Sequence, residues 1–124
     1  RRVEAERQGA AFAKTVRAVW DLDLPDVVLP LAVGAACGPQ RMDVEMAVPL
    51  YLHAFVSNLV SAAQRLMPLG QMEAQGVLSA LQSDVQLVAG ETKGKGLEDI
   101  ASHAFLSDIA AMRHDALEPR LFQS

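Results

Sequence analysis

The sequence predicts an all-α fold, an irregular bundle of about five helices with a C-terminal tail. Three observations carry that expectation. Hydrophobic residues make up 51% of the 124 residues but aromatics only 5%, an Ala/Leu/Val composition that suits close helix packing better than a β-sandwich. Apolar residues recur at three- and four-residue steps, and no stretch alternates with the two-residue period of a strand. Nineteen consecutive residues, Met46 to Gln64, carry no formal charge, which marks a helix set in the middle of a protein.

The length predicts one domain, residues 1–124, able to bury roughly two-thirds of its unfolded surface. The net charge of −4 and the absence of any Lys/Arg run argue against nucleic acid, which demands a basic patch. Cys37, the single cysteine, cannot form an internal disulfide and fits a reducing, cytoplasmic setting. No signal peptide is visible. A chain that opens on Arg1-Arg2 in a helical pattern reads as a fragment or a processed product.

Arg2 to Trp20 is expected to be an amphipathic helix, with Phe12, Val16, Val19 and Trp20 on its apolar side. Asp21 to Pro25 breaks it. Asp26 to Cys37 is a short apolar helix with Pro30 early enough to be tolerated, and Gly38-Pro39 ends it. Asp43 is placed to N-cap the central helix, which runs to about Met67, and Glu45 adds favourable charge at its start. Pro49 is expected to bend that helix or delay its beginning. Pro68-Leu69-Gly70 is a sharp boundary. A further helix covers roughly Gln71 to Ala89, with Leu78, Leu81, Val85 and Val88 at three- and four-residue steps. Gly90 to Gly96 is a loop. Leu97 to about Asp115 is the last helix, burying Ile100, Ala104, Phe105, Ile109 and Met112, and Pro119 stops any helix before the tail.

The uncharged segment is nearly long enough to cross a bilayer, which takes about 20 apolar residues, but it is not read as spanning one. At about 100° per residue, His53, Ser57, Asn58, Ser61, Gln64 and Arg65 fall on one stripe. Leu52, Phe55, Val56, Leu59, Ala62, Ala63 and Leu66 fall on the other side. The polar seam has two readings. One is an interhelical hydrogen-bond network that fixes packing. The other is a wet face, either a subunit interface or the lining of a solvent path.

Other candidates for chemistry have plainer explanations. The glycine-rich loop departs from a P-loop: Gly90 and Gly94 enclose three residues rather than four, Lys95 is followed by Gly96, and a helix rather than a strand precedes it. His53, His103 and His114 include no pair at helix-chelating spacing. His103 and His114 would lie ~16 Å apart on one helix. A metal site within one chain is therefore not expected, while one shared across a symmetric dimer stays open. Asp43, Glu45, Asp84, Glu98 and Asp99 are accounted for by capping and solvation. Asp108, among Phe105, Ile109 and Met112, is either a surface ion-pair partner or an interface residue. Termini are commonly disordered, yet Arg120-Leu121-Phe122 near the end of the chain has the character of a docking element.

Two motif clusters are familiar. Tyr51-Leu52, Ser57-Asn58-Leu59-Val60-Ser61-Ala62-Ala63, Arg65-Leu66, Pro68-Leu69-Gly70-Gln71 and Gln75 form the first. Asp108-Ile109-Ala110, Met112-Arg113-His114, Arg120-Leu121-Phe122 and Ser124 form the second. Together they resemble the urease accessory protein F family, over essentially the whole chain and corresponding to the C-terminal half or somewhat more of a member. The resemblance implies an all-α, dimeric, non-enzymatic protein of the cytoplasm. It implies binding to a scaffold accessory protein of the H (or D) type. It implies joint recruitment of the G-type GTPase that carries nickel, and delivery of nickel to apo-urease. No tightly bound cofactor is implied, only nickel passing transiently through the assembled complex, and neither membrane nor nucleic acid is a partner.

On the same resemblance, Ser57, Asn58, Ser61, Arg65, Gly70 and Gln71 are expected at the dimer or GTPase-facing surface. Arg113, His114, Arg120, Leu121 and Phe122 are expected to dock on the scaffold, through a tail at residues 116–124. The tail departs from the family's His-Glu-x-x-Tyr-Ser-Arg-Leu-Phe pattern, since Asp115, Glu118 and Pro119 replace its Glu, Tyr and Ser. Without the family's N-terminal segment, the chain is expected to expose apolar surface and to self-associate or lose function. The alternative reading is a generic helical dimerisation module with no metal role. A third, an enzyme with its site in the seam, would require a closed pocket holding a titratable group.

Overall fold

A computed structural model describes residues 2–101 and 104–115, the side chains of His114 and Asp115 excepted. The described residues are all-α: α1 (Arg2–Trp20), α2 (Leu29–Cys37), α3 (Val44–Leu66), α4 (Gln71–Ala80), α5 (Gln82–Glu91), a single 3-10 turn at Leu97–Asp99, and α6 (Phe105–Asp115). The chain divides into two compact units, one of Arg1–Ala36 with Leu97–Ser124 and the other of Cys37–Gly96.

In the first unit, Gly9, Ala13 and Val16 form the buried face of α1, spaced by four and three residues. Asp21, at φ 53°, turns the chain after Trp20. Leu24 then packs with Ala13, Val16 and Ala36, and Phe12 and Leu22 lie against that cluster. Pro30 is the second residue of α2, where its missing N–H costs little. Val19 and Trp20, expected on the buried side of α1, are exposed instead. Val16 is the last buried residue of α1.

In the second unit, α3 packs against α4 and α5. Val60, Ala74 and Val85 are its buried residues, one from each helix. Asp43 caps α3 by accepting the Glu45 N–H at 2.9 Å. The helix runs unbroken through Pro49. Met67 ends it, and Gly70 starts α4, its N–H donated to Glu73 at 3.0 Å. The helix expected from Gln71 to Ala89 is two, broken at Leu81, and its second part extends to Glu91. Lys93 pairs with Glu45, tying the loop after α5 to the start of α3.

Two expectations need correction. Among the described residues of the second unit the central helix is not enclosed: only Val60 of α3 is buried, because two short helices cover one side of a rod 23 residues long. The single helix expected from Leu97 to Asp115 is a 3-10 turn followed by α6. Ile100, Ala104, Phe105, Ile109 and Met112 are exposed rather than buried.

Candidate functional site

The polar seam and the corner after it both lie in the second unit. The structure splits the seam in two. Ser57 and Gln64 turn toward the packed side of α3 and are partly buried, while His53, Asn58, Ser61 and Arg65 are exposed. Gln64 donates its side-chain N–H to the side-chain oxygen (Oε1) of Gln71 at 3.0 Å, across the corner formed by residues 67–70. That corner is closed by backbone bonds, Met67 N–H to Ala63 O at 2.9 Å and Leu69 N–H to Met67 O at 2.8 Å. Gly70 and Gln71 are exposed at its tip. One part of the seam therefore fixes the α3–α4 corner, as a packing network would, and the other part meets solvent.

Beside the exposed polar groups runs an apolar stripe. Phe55, Leu59 and Leu66 are 53%, 55% and 65% exposed, so this face of α3 is open. A groove of about 230 Å³ opens next to it between α3 and α5, lined by Leu52, Phe55, Val56, Leu81, Asp84, Val85 and Val88. By length and composition α3 is the one described helix able to cross a membrane. Its polar side, held to α4 through Gln64 and Gln71, is the side that would meet lipid least well.

The remaining candidates belong to other elements of the chain. Arg113 is exposed on α6. The side chain of His114 and all of Arg120, Leu121 and Phe122 lie outside the described residues. Asp108 is partly buried. The glycine-rich segment serves as a connection. Thr92 caps the end of α5 by donating its hydroxyl to Ala89 O at 2.8 Å, and Gly94 takes the left-handed turn at φ +75°. Among the described residues no group of three His, Cys, Asp or Glu side chains gathers in a way that could hold a metal ion. The Cys37 thiol donates to the Met42 sulfur at 3.8 Å.

Sequence reasoning missed three features. Gly9 packs against the backbone of Val27–Leu29 so closely that a Cβ would stand 1.8 Å from Val27 O. Its signal was a glycine inside a helical pattern. Arg17 and Asp26 form an ion pair between α1 and the returning segment. The third is the openness of the Phe55–Leu66 stripe, which periodicity cannot distinguish from a buried one.

In the second unit α3 presents an open face of mixed polar and apolar side chains. The UreF family profile matches residues 1–82. Proteins named urease accessory protein UreF are similar along nearly the whole chain. The one from Cereibacter sphaeroides is 47% identical over 121 residues, covering 98% of this chain and 58% of the relative. That of Roseobacter denitrificans is 43% identical over 98% of this chain and 54% of the relative. That of Bradyrhizobium diazoefficiens is 37% identical over 100% of this chain and 55% of the relative. The chain thus spans a little over half the length of these relatives.

Proposed function

This chain belongs to the UreF family of urease accessory proteins, and on that premise we propose that it acts in urease maturation as a non-enzymatic adaptor. In this reading it forms a homodimer in the cytoplasm. It bridges a scaffold accessory protein of the H/D type and the nickel-carrying G-type GTPase, and through them helps nickel reach apo-urease. Nickel passes transiently through the assembly, and no cofactor is held by the chain alone.

The observation that carries the reading is the open face of α3 and the corner after it. Asn58, Ser61 and Arg65 are exposed on α3, and the corner presents Gly70 and Gln71. Donors and acceptors set beside half-exposed Phe55 and Leu59 make a protein-binding surface, since interface cores combine apolar anchors with a polar rim. The face and corner would take one partner. Arg113, His114, Arg120, Leu121 and Phe122 would take the scaffold.

Co-purification with scaffold and GTPase tests the proposal. Wild-type chain should retain both. Leu121→Ala with Phe122→Ala should release the scaffold, and Arg65→Glu with Gln71→Ala should release the partner on the α3 face. Unchanged capture by the first double variant would remove the tail assignment. A stable dimer indifferent to all urease partners would favour the generic dimerisation module.

A further inference from the structure

We infer that the groove between α1 and the segment returning into α2 is a seat for the chain's own tail, residues 116–124, so that the tail is either folded back on the first unit or docked on the scaffold. The inference rests on the tail-docking reading above and adds to it a competing site within the chain. The groove lies wholly in the first unit and measures about 550 Å³, inside the range of about 300–1,000 Å³ that ligand sites occupy. Val3, Glu6 and Arg7 reach it from one face of α1, and Asp26, Val27, Val28 and Leu31 line it from the other side. Val3 and Leu31 are 59% and 61% exposed, so the described residues leave its apolar walls uncovered.

The charges select the occupant. Arg2 holds Glu6 at 2.8 Å, and Arg17 takes one oxygen, Oδ1, of Asp26. Arg7 takes part in no ion pair among the described residues. The groove therefore presents one uncommitted cation and one carboxylate with an oxygen to spare, beside apolar walls. Its complement is a short segment with an acid and a base close together and large apolar residues next to them. The tail reads Ala116-Leu117-Glu118-Pro119-Arg120-Leu121-Phe122-Gln123-Ser124. Glu118 matches Arg7, Arg120 matches Asp26, and Leu121-Phe122 match the walls made by Val3, Val27 and Leu31. Pro119, between the two charges, fixes one backbone angle in advance and so lowers the cost of ordering the segment.

The tether makes even a weak contact count. The tail follows α6 directly, and α6 belongs to the same compact unit as α1 and α2. From Asp115 to Leu121 an extended chain reaches up to about 20 Å. A segment tethered in this way meets its seat at an effective concentration on the order of 1 mM. A contact with a dissociation constant of about 100 μM would then keep the tail seated about nine-tenths of the time. The apparent affinity for the scaffold would fall roughly tenfold, because only the free fraction can bind.

The test uses the full chain in a Cys37→Ser background. Leu31→Cys with Phe122→Cys should form a disulfide within one chain under mild oxidation by glutathione disulfide. Arg7→Glu should slow that linkage roughly fivefold or more. Arg7→Glu combined with Glu118→Arg should restore it, an outcome that requires the two side chains to pair directly. Without the added cysteines, Arg7→Glu should bind the H/D-type scaffold roughly five- to tenfold more tightly. A linkage rate that Arg7→Glu leaves unchanged, a charge swap that restores nothing, or a disulfide formed only between chains would overturn the seat. Equal scaffold affinity for Arg7→Glu and the natural chain would overturn the competition. A chain that links as described but never binds scaffold would remove the tail-docking reading and leave the seat standing.

Discussion

Gly9 lies so close to Val27 that a side chain at residue 9 would collide with the Val27 carbonyl oxygen, at 1.8 Å from the position of a Cβ. The obstacle is backbone, with Val28 C and Leu29 N each 2.8 Å away, so no rotamer change relieves it. Gly9→Ala should therefore destabilise the first unit by about 3 kcal/mol, even though alanine is the better helix former. Urea denaturation followed by circular dichroism checks this. A stability gain would mean that α1 and the returning segment do not approach as described.

The cap of α3 supports a second expectation. The Asp43 carboxylate satisfies the otherwise unpaired Glu45 N–H at 2.9 Å. Asp43→Ala should cost about 1 kcal/mol, and Asp43→Asn much less, because asparagine caps nearly as well. Equal losses for the two would assign the effect to charge rather than to the hydrogen bond.

Most of the helices were legible because their signals are local. Asp43, Gly38-Pro39 and Pro68-Leu69-Gly70 act on neighbouring backbone, and each lies at or near the boundary it was expected to make, whereas the helix expected from Asp26 begins at Leu29, one residue before Pro30. The break at Leu81 was not legible, since Gln82-Ser83-Asp84 continues an acceptable helical pattern and no Pro or Gly interrupts it. The exposure of Phe55 and Leu59 was hidden for a different reason. Periodicity says which residues share a face, whereas burial depends on what else is present to cover that face. In the candidate site, the same limit made the seam look uniform, while the Gln64–Gln71 bond separates its packing half from its solvent half.

That bond carries a third prediction. Gln64 and Gln71 join two helices at a corner held mainly by backbone, and an exposed side-chain hydrogen bond contributes about 0.5–1 kcal/mol. Gln64→Ala should change stability by less than ~1 kcal/mol and speed amide exchange at residues 69–71. If Gln71 contacts a partner directly, Gln71→Ala should weaken partner capture more than Gln64→Ala does. Equal losses would mean that Gln71 acts only by shaping the corner.

The Lys93–Glu45 pair joins the loop after α5 to the first turn of α3, with side chains 73% and 66% exposed. Exposed pairs contribute little and are screened by salt. Lys93→Ala should shift stability by less than about 0.5 kcal/mol in physiological salt. The shift should shrink further as salt is raised, measured as a urea midpoint at two ionic strengths. A loss that persists at high salt would show that the lysine's hydrocarbon stem, not its charge, holds the loop.

Pro49 gives the prediction with the opposite sign. It is the sixth residue of α3, so it offers no N–H to the Glu45 carbonyl one turn earlier, and its ring crowds that oxygen. Replacing it restores the missing bond but frees the unfolded chain, which offsets about 0.4–1 kcal/mol of the gain. The ring is also partly buried, so some packing is lost. Against an interior-proline penalty of about 3 kcal/mol, Pro49→Ala should still raise stability by roughly 1–2 kcal/mol and slow amide exchange around residues 45–50. A lower urea midpoint for Pro49→Ala would mean that the ring's contacts outweigh the hydrogen bond it removes.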